Sequence, residues 1–341
     1  MGEPQPVLDP LSPSAIFLVA TIDDDGEPAI RELLADLGGL RRSIGFRVPG
    51  SDLSVITSIG SAAWDRLFTG PRPAALREFP GYLGPLHQAP ATPGDLLFHI
   101  KSQTADAAFE LAMAIGQKLA GAATVVDETV GFRYFEQRDL LGFVDGTENP
   151  EGRQAAAAAL IGDEDPGFAG GSYVVVQKYL HDLTAWQALP VAEQERVIGR
   201  TKLEDYEFAD EDKPADSHIA VNTVVDPETG DQRQILRANM PFGSVKDGEF
   251  GTYYIAYAAS PDVTDAMLER MFLGTEDATH DRILDFSTAV TGTQFFTPAA
   301  DFFDDLPGPP GESSADDSVP SMVDSFGSGS LGIGTLKRSR S

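Results

Sequence analysis

Cysteine is absent from the chain of 341 residues. Its absence excludes disulfides, iron–sulfur clusters, cysteine-based zinc sites and every cofactor that is held through a thiolate. It also gives no sign of an oxidising compartment. A metal or metal cofactor would therefore be bound through other side chains, of which the five histidines are the first candidates.

Basic residues are scarce. The sequence has 25 lysines and arginines against 53 aspartates and glutamates, which gives a formal net charge of −28. A negative charge of this size opposes binding to nucleic acid, repels anionic reactants and attracts cations such as Mn²⁺. We therefore expect no nucleic-acid partner.

Long apolar runs are also missing. No stretch approaches the ~20 apolar residues that a membrane-spanning helix needs, and the N-terminus shows no basic and apolar leader. The composition, with 42% hydrophobic and 23% charged residues, is that of a globular protein. We expect a cytoplasmic protein without a membrane partner.

The apolar pattern alternates between the strand and helix periods along the chain. Strands are predicted at residues 15–22, 96–101, 172–179, 218–225, 233–239 and 252–257, and helices at 28–38, 104–119, 190–198 and 263–273. Residues 95–106 and 252–265 both show a strand, a polar cap and a helix with an aspartate near its start. This weak repeat predicts an α+β fold of two similar halves, with antiparallel sheets packed face to face and helices outside.

The segment GFVDGTENP, residues 142–150, contains the first candidate for chemistry. It places Asp145 on an Asp-Gly turn directly after an apolar approach. Asp-Gly by itself is a common hairpin signal. Alternatively, a carboxylate that is held against apolar residues is a candidate proton carrier.

His218 stands out among the histidines because it follows a charged loop and begins an apolar, β-branched segment, HIAVNT. A ring at the edge of a buried segment could reach a bound group. A histidine that ligates a metal usually donates its other ring N–H to an acceptor. Asp285 is the candidate acceptor, because it lies between apolar residues where an unpaired carboxylate is costly. The alternative for Asp285 is an ordinary acid on a helix surface.

The block ILRANMPFG, residues 235–243, is the third candidate segment. Its alternation predicts a strand that ends at Pro241 and Gly243. Arg237 and Asn239 would share one face of that strand, because side chains alternate with a period of two. A cation beside an amide donor makes a site for an anion. The alternative is a solvent-facing edge of a sheet.

These segments together resemble one family. GFVDGTENP is similar to the GxxDGTxN signature of the dye-decolorizing peroxidases, which are haem enzymes. The segment around His218 resembles the proximal-ligand region of these enzymes, and RANMPFG resembles their distal arginine segment in its bacterial B-type form. The resemblance covers roughly residues 13–303.

The resemblance implies a duplicated ferredoxin-like fold, of the dimeric α+β barrel type, and a non-covalent haem b whose iron is ligated by His218. Asp145 would move a proton between the oxygens of hydrogen peroxide, while Arg237 and Asn239 would stabilise the developing anion. The donors would be dyes, phenols or Mn(II), oxidised through an oxo-ferryl intermediate, and Arg237 would be less dispensable than Asp145. Further cofactor-binding residues implied are Arg200, on a propionate, and Asp285, Phe242, Gly146, Thr147 and Glu148.

The C-terminal residues differ in composition from the rest. Residues 306–329 are rich in proline, glycine, serine and acids, which predicts a flexible linker. Residues 330–341 then begin SLGIGTLKR, whose Leu331, Ile333 and Leu336 suggest an extended docking peptide. This segment resembles the cargo-loading peptide of encapsulin nanocompartments, which implies an encapsulin shell as partner and location.

The predicted organisation is therefore an N-terminal arm (1–12), a haem peroxidase domain (13–305) with halves at about 13–150 and 151–305, the linker and the docking peptide. Encapsulated relatives imply a homo-oligomer. Two other functions compete: a haem-handling, deferrochelatase-like protein with little turnover, and an acidic structural protein whose tail is its whole function. The second leaves GFVDGTENP and RANMPFG unexplained.

Overall fold

The computed structural model describes residues 2–311. The predicted docking residues Leu331, Ile333 and Leu336 lie outside this part of the chain. Among the helices of residues 2–311, none is long and apolar enough to cross a membrane.

The first half of the fold follows the order strand, helix, strand, strand, helix, strand. Its elements are β1 (Ser14–Ile22), α1 (Glu27–Arg47), β2 (Ser54–Gly60), α2 (Ser61–Leu67), the short hairpin β3 (Tyr82–Leu83) and β4 (Gln88–Ala89), β5 (Leu96–Ser102), α3 (Ala105–Leu119) and β6 (Ala123–Phe132). The four long strands pair antiparallel in the order β6-β1-β5-β2.

The second half repeats this plan with insertions. Its elements are α4 (Gly152–Ala159), β7 (Ser172–His181), α5 (Leu183–Ala188), α6 (Val191–Ile198), α7 (His218–Asn222), β8 (Leu236–Arg237), β9 (Met240–Ser244), β10 (Glu249–Ala258), α8 (Pro261–Leu273), β11 (Ser287–Ala289) and β12 (Thr293–Thr297). Short 3₁₀ helices occur at Pro6–Leu8, Phe135–Gln137, Pro166–Phe168, Arg282–Asp285 and Ala300–Phe303.

The strand order of the second half is β12-β7-β10-β8, and β9 also pairs with β10. In both halves the order is fourth strand, first, third, second, counted along the chain, which confirms the predicted duplication. The two sheets meet edge to edge through only two residue pairs of β2 and β12, Gly60 with Phe295 and Ile59 with Phe296.

Apolar side chains fill the space between the two sheets. Phe17 of β1 stacks on Tyr253 of β10 with ring centroids 4.1 Å apart, and His99 Nδ1 lies 2.9 Å from the Tyr257 hydroxyl. Because strand side chains alternate, neighbours of Phe17 such as Leu18 face outward instead, where they pack with α1 and α3. The predicted face-to-face sheets with outer helices are therefore confirmed.

Most predicted elements are confirmed, and the helix predicted at 28–38 is longer than expected. It continues to Arg47 through two adjacent glycines. Glycine costs roughly 1 kcal/mol in a helix interior. Burial of Ile44 beyond these glycines offsets that cost, since a fully buried aliphatic side chain contributes about 1.5–3 kcal/mol.

Two of the predicted strands are wrong. Residues 218–222 form the short helix α7 instead of a strand. In the block 233–239 only Leu236–Arg237 is strand, and β9 runs from Met240 to Ser244 through Pro241 and Gly243, which were predicted to end the strand. Pro241 is tolerated there because β9 lies at the rim of the sheet, where a missing backbone donor does no harm.

Candidate functional site

A cavity of about 390 Å³ is lined by residues of the second half of the fold and by the loop that precedes it. Every residue that lines it lies between Asp139 and Ser287. Its polar lining includes Asp145, Glu148, Arg200, His218, Arg237 and Asn239. Its apolar lining includes Val144, Ile235, Tyr254, Leu268, Met271 and Ile283. A concave site in which polar groups converge beside apolar walls is the usual form of a ligand site.

His218 is the first residue of α7 and is oriented by a buried carboxylate. Its Nδ1 lies 2.6 Å from Asp281 Oδ2, and the Asp281 side chain is 0% exposed. Asn222, one helical turn later, donates from Nδ2 to the same Asp281 oxygen at 3.1 Å. With Nδ1–H donating to Asp281, the lone pair of Nε2 is left available on the cavity side.

The expectation that Asp285 accepts from His218 is wrong. Asp285 is at the other end of the 3₁₀ helix Arg282–Asp285, and its Oδ1 lies 3.0 Å from His87 Nε2 and 2.9 Å from His280 Nε2. Asp281 caps the start of that helix, where its Oδ1 accepts from the Ile283 backbone N–H at 3.0 Å. Both carboxylate oxygens of Asp281 are thus held by hydrogen bonds, which fixes its position beside the imidazole.

Two of the other histidines have neighbours and hydrogen-bond partners that give them a role in packing. His99 is buried between the sheets against Phe17 and Tyr257. His181 lines the cavity, but its two ring nitrogens pair with Ser287 and Thr252, and burial lowers its pKa to about 4. His181 is thus neutral and held away from a ligand role.

Asp145 lies on the loop that the GFVDGTENP segment predicted. Gly146 has a φ of +83°, a backbone conformation that favours glycine at this Asp-Gly turn. The Asp145 backbone N–H donates to the Gln137 carbonyl at 3.0 Å, and Asp145 Oδ1 accepts from Asn239 Nδ2 at 3.3 Å. Asp145 Oδ2 has no hydrogen bond within residues 2–311, so one carboxylate oxygen is available to a ligand.

Arg237 and Asn239 both line the cavity, as their spacing on one strand face predicted. Asn149 fixes the Arg237 backbone through two bonds, accepting from the Arg237 N–H at 3.0 Å and donating to its carbonyl at 2.8 Å. The Ile255 N–H donates to Asn239 Oδ1 at 3.1 Å, which orients the amide so that Nδ2 faces Asp145. Sequence reasoning missed Asn149, although it lies within GFVDGTENP.

Arg200 extends into the cavity lining and is only 7% exposed. Its Nη2 donates to Glu148 at 2.6 Å, and its Nη1 donates to the side chain of Asp205 at 2.8 Å. These bonds use part of a guanidinium that has five N–H donors. Arg200 and the predicted Gly146, Thr147 and Glu148 are therefore together at the cavity.

The prediction that Phe242 is a cofactor-binding residue is also wrong. It is not part of the cavity lining but is buried between the sheets, where Lys178 Nζ lies 5.0 Å from its ring centroid. On β9, Met240 and Phe242 point to the same face and pack into the core beside Phe17 and Tyr253. An aromatic residue near a site motif gives no signal that separates a core position from a pocket wall.

Asp139 is a cavity residue that the sequence did not single out. Burial, and secondly the nearby Asp145 charge, raise the pKa of Asp139 to about 7. Its Oδ1 accepts from the Gly142 and Phe143 backbone N–H groups at 2.9 and 3.0 Å, so it braces the approach to Asp145. A second acid thus lies near Asp145 with its protonation poised close to neutral pH.

Two protein-family models match the chain. The model for the N-terminal part of Dyp-type peroxidases matches residues 4–133, and the model for the C-terminal part matches residues 136–302. Together the models span both halves of the fold.

Individual proteins match over nearly the whole chain. The dye-decolorizing peroxidase of Rhodococcus erythropolis is 59% identical over 98% of this chain and 97% of its own. Among solved structures, the encapsulated DyP-type peroxidase of Mycobacterium smegmatis is 59% identical with a TM-score of 0.89, over 91% of this chain and 100% of its own.

DyPB of Rhodococcus jostii is 53% identical with a TM-score of 0.85, over 88% of this chain and 97% of its own. Variants of that protein have been solved in complex with heme, and one in complex with manganese. The family models and the near full-length relatives agree, and the chain belongs to the Dyp-type peroxidase family.

Proposed function

We propose that this protein is a haem b peroxidase that reduces hydrogen peroxide and oxidises organic or Mn(II) donors. One observation supports this most: a histidine with an anionic partner, a carboxylate, an arginine and an asparagine all meet at one cavity. A binding protein needs only the histidine and an apolar cleft. The acid, the guanidinium and the amide are additional groups that peroxide chemistry requires.

The residues at the cavity fit haem. His218 offers Nε2 as a ligand atom while Asp281 holds Nδ1, which is the arrangement that metal-ligating histidines need. Tyr254, Leu268, Met271 and Ile283 offer an apolar surface to a macrocycle. Arg200 retains N–H donors for a carboxylate, although a propionate would share it with Glu148. When bound, haem supplies the iron centre at which peroxide is reduced and donors are oxidised.

Asp145 is the proton carrier in this proposal. Its Oδ1 is occupied by the Asn239 amide, so Oδ2 takes the proton from one oxygen of hydrogen peroxide and returns it to the other, which leaves as water. Asn239 cannot rotate freely, since Ile255 fixes its Oδ1. The amide therefore keeps the carboxylate aimed throughout the transfer.

Arg237 supplies fixed positive charge where negative charge develops on the peroxide oxygens. Arg237 takes part in none of the salt bridges among residues 2–311, so the charge of its guanidinium remains available to a ligand. The two hydrogen bonds between the Asn149 side chain and the Arg237 backbone hold Arg237 in position before the substrate arrives. Such preorganisation avoids a reorganisation cost during the reaction.

Asp145 and Asn239 also border a smaller cavity. A second cavity of about 30 Å³ is lined by Leu11, Arg133, Gln137 and Met240, and by Asp145 and Asn239, which also line the main cavity. Asp145 and Asn239 therefore form the wall between the two. We propose that small reactants enter here, since an opening of this size admits about one water-sized molecule.

The test is an absorption spectrum of the haem-loaded protein before and after one equivalent of peroxide, with Arg237→Leu and His218→Ala beside the wild type. We expect the Soret band of the wild type to shift when peroxide is added. The band of Arg237→Leu should not show the wild-type shift, and the band of His218→Ala should be lost or altered. A Soret band that peroxide leaves unchanged in the wild type would favour the haem-handling alternative. No haem uptake would overturn the proposal.

The charge of the chain favours cationic donors. Its net charge is −28, whereas Glu148, Glu207 and Asp210 in the cavity lining are paired with Arg200 or Lys213. We infer that Mn(II) is drawn to the protein by its net charge, an attraction that salt screens. Turnover of Mn(II) that is the same at low and high ionic strength would remove the basis of this inference.

We further propose that residues 330–341 load the protein into an encapsulin shell in the cytoplasm. The resemblance of SLGIGTLKR to a cargo-loading peptide and the encapsulated relative from Mycobacterium smegmatis support this. The test is co-expression with the shell protein. Replacing Leu331, Ile333 and Leu336 with alanine should abolish co-purification with the shell and leave peroxide turnover unchanged.

The organisation as an arm (1–12), two halves meeting near residue 150 and a linker (306–329) remains our proposal, as does a homo-oligomer. Exposed apolar residues on the edge strand β6 support self-association: Val126 is 49% and Val130 52% exposed, and nearby Phe135 is 73% exposed. Light scattering of wild type and Phe135→Ser would test it.

A further inference from the structure

Two histidines and one aspartate converge outside the cavity. His87 Nε2 and His280 Nε2 lie 3.0 and 2.9 Å from the same oxygen, Oδ1 of Asp285. One ligand atom from each of the three residues lies within 4.8 Å of the other two. The two imidazole rings are tilted by 52° with centroids 4.8 Å apart, so they do not stack and both can point at a common centre.

These separations suit a transition metal ion. Metal–nitrogen and metal–oxygen bonds to such ions are about 2.0–2.2 Å long, so neighbouring ligand atoms in a tetrahedral or octahedral shell lie roughly 3.0–3.5 Å apart. The distances from the two histidine nitrogens to Asp285 Oδ1 need to increase only slightly for an ion to fit between the three atoms. Imidazole together with one carboxylate favours zinc, copper, nickel or iron over the hard cations, which prefer oxygen ligands.

The three side chains are held in place by different parts of the fold. His87 lies in the turn between β3 and β4, and this hairpin packs so closely on α8 that a Cβ on Gly84 would lie 1.8 Å from the Phe272 carbonyl oxygen. Thr279 Oγ1 lies 3.1 Å from His280 Nδ1, on the ring nitrogen that faces away from Asp285. A hydrogen bond at that nitrogen is the usual way in which a metal-ligating imidazole is oriented.

The cluster is also accessible to an ion. The side chains of His87, His280 and Asp285 are 24%, 12% and 40% exposed. The imidazoles are therefore mostly shielded while the carboxylate faces solvent, which leaves an entry path and room for water ligands. None of the three residues lines the main cavity, so the haem site proposed above does not use them.

We propose that His87, His280 and Asp285 bind one divalent transition metal ion, such as Zn²⁺, in a site separate from the haem cavity. His87 belongs to the first half of the fold, and the other two ligands belong to the second. The ion would therefore link the β3–β4 hairpin to the segment that follows α8. Because a bound ion stabilises only the folded state, it should raise the melting temperature.

The experiment is equilibrium dialysis of the haem-loaded, full-length protein against Zn²⁺, with zinc and iron measured in the same sample. Millimolar Mg²⁺ in the buffer occupies the many surface carboxylates and leaves imidazole sites to zinc. We expect one tightly bound zinc per chain and an increase of a few degrees in melting temperature.

The variants are His87→Gln, His280→Gln and Asp285→Asn, with Asp277→Asn as the matched control. Asp277 is exposed, lies on the same loop and loses the same charge in the control. We expect zinc affinity to fall at least tenfold in each of the three site variants and to be unchanged in the control. An intact Soret band in each variant shows that the protein is folded and haem-loaded.

A second readout identifies the ligands directly. Cu²⁺ bound in place of zinc should show electron spin echo modulation from two imidazoles in the wild type and from one in His87→Gln. Absence of stoichiometric zinc in the wild type would overturn the proposal, as would zinc that survives equally in His87→Gln and His280→Gln. Peroxide turnover is measured separately, so failure of the zinc site and failure of the peroxidase proposal are distinguishable.

Discussion

Replacing Asp281 with asparagine should weaken haem binding through the tautomer of His218. The wild-type carboxylate accepts from His218 Nδ1 and Asn222 Nδ2 with Oδ2, and from the Ile283 backbone N–H with Oδ1. Asparagine has one oxygen and one NH₂ group for these positions. Whichever way the amide turns, one of the donors now faces another donor.

The cost differs between the haem-free and haem-bound states. Without haem, the ring of His218 can move its proton to Nε2 and accept from the new NH₂ group with Nδ1. Ligation requires the Nε2 lone pair, which returns the proton to Nδ1. That proton then either faces the NH₂ group, or the amide turns its oxygen toward His218 and the Ile283 N–H loses its acceptor. A buried donor without a partner costs about 1–3 kcal/mol, so haem affinity should fall by roughly 5- to 150-fold, since about 1.4 kcal/mol is tenfold.

The assay is haem titration of the haem-free protein by Soret absorbance, together with the rate of haem transfer to a scavenger apoprotein. Asp285→Asn is the matched control, because the same change is made four residues further along and the Asp285 carboxylate pairs with His87 and His280 instead of His218. Both titrations are run with a chelator present. Asp281→Asn should bind haem more weakly and release it faster, and Asp285→Asn should match the wild type.

Two results would refute this reasoning. Haem affinity within twofold of wild type in Asp281→Asn would show that the buried carboxylate does not select the tautomer of His218. A loss in Asp285→Asn equal to that in Asp281→Asn would show that both changes act through general damage to the 3₁₀ helix Arg282–Asp285.

Three further predictions concern positions away from His218. Asn149→Ala removes both bonds to the Arg237 backbone and should lower peroxide turnover at least tenfold with haem content unchanged, measured by steady-state kinetics. The pKa of Asp139 is raised to about 7 in the folded state, against a value near 3.8 in the unfolded state. Between these two pH values the folded protein binds one more proton than the unfolded protein. The free energy of unfolding therefore falls as the pH rises from about 4 to about 7. In melting curves across this range, Asp139→Asn should show a smaller fall. Gly84→Ala would place a Cβ 1.8 Å from the Phe272 carbonyl oxygen and should lower the melting temperature, which calorimetry would detect.

The sequence predicted site residues correctly where their direction depends on a local motif, and less well where it depends on packing. Asp145, Arg237 and Asn239 reach one cavity because each lies within a short segment whose turn or strand period fixes its direction. The partner of His218 was predicted wrongly because two aspartates bracket the same short helix, and only Asp285 has apolar neighbours on both sides, which drew the prediction to it. Which one reaches the imidazole depends on how the helix packs, which spacing alone does not contain.

The fold shows the same limit. Long periodic elements such as α3 were predicted within a residue, because their apolar stripe alone determines which face is buried. Residues 218–222 are apolar and β-branched, which favours a strand, yet they form α7. Contacts with α8 and Asp281 decide the outcome there, and tertiary contacts routinely override weak local preference.

The one-sided placement of the cavity has a consequence for where this fold tolerates insertions. Two halves share a strand order, yet every residue of the cavity lies between Asp139 and Ser287. Residues before Asp139 contribute nothing to the lining of that cavity, so packing rather than cavity chemistry constrains most of their positions. Reporter insertions that avoid His87 and the small cavity beside Asp145 should therefore be tolerated best in the first half.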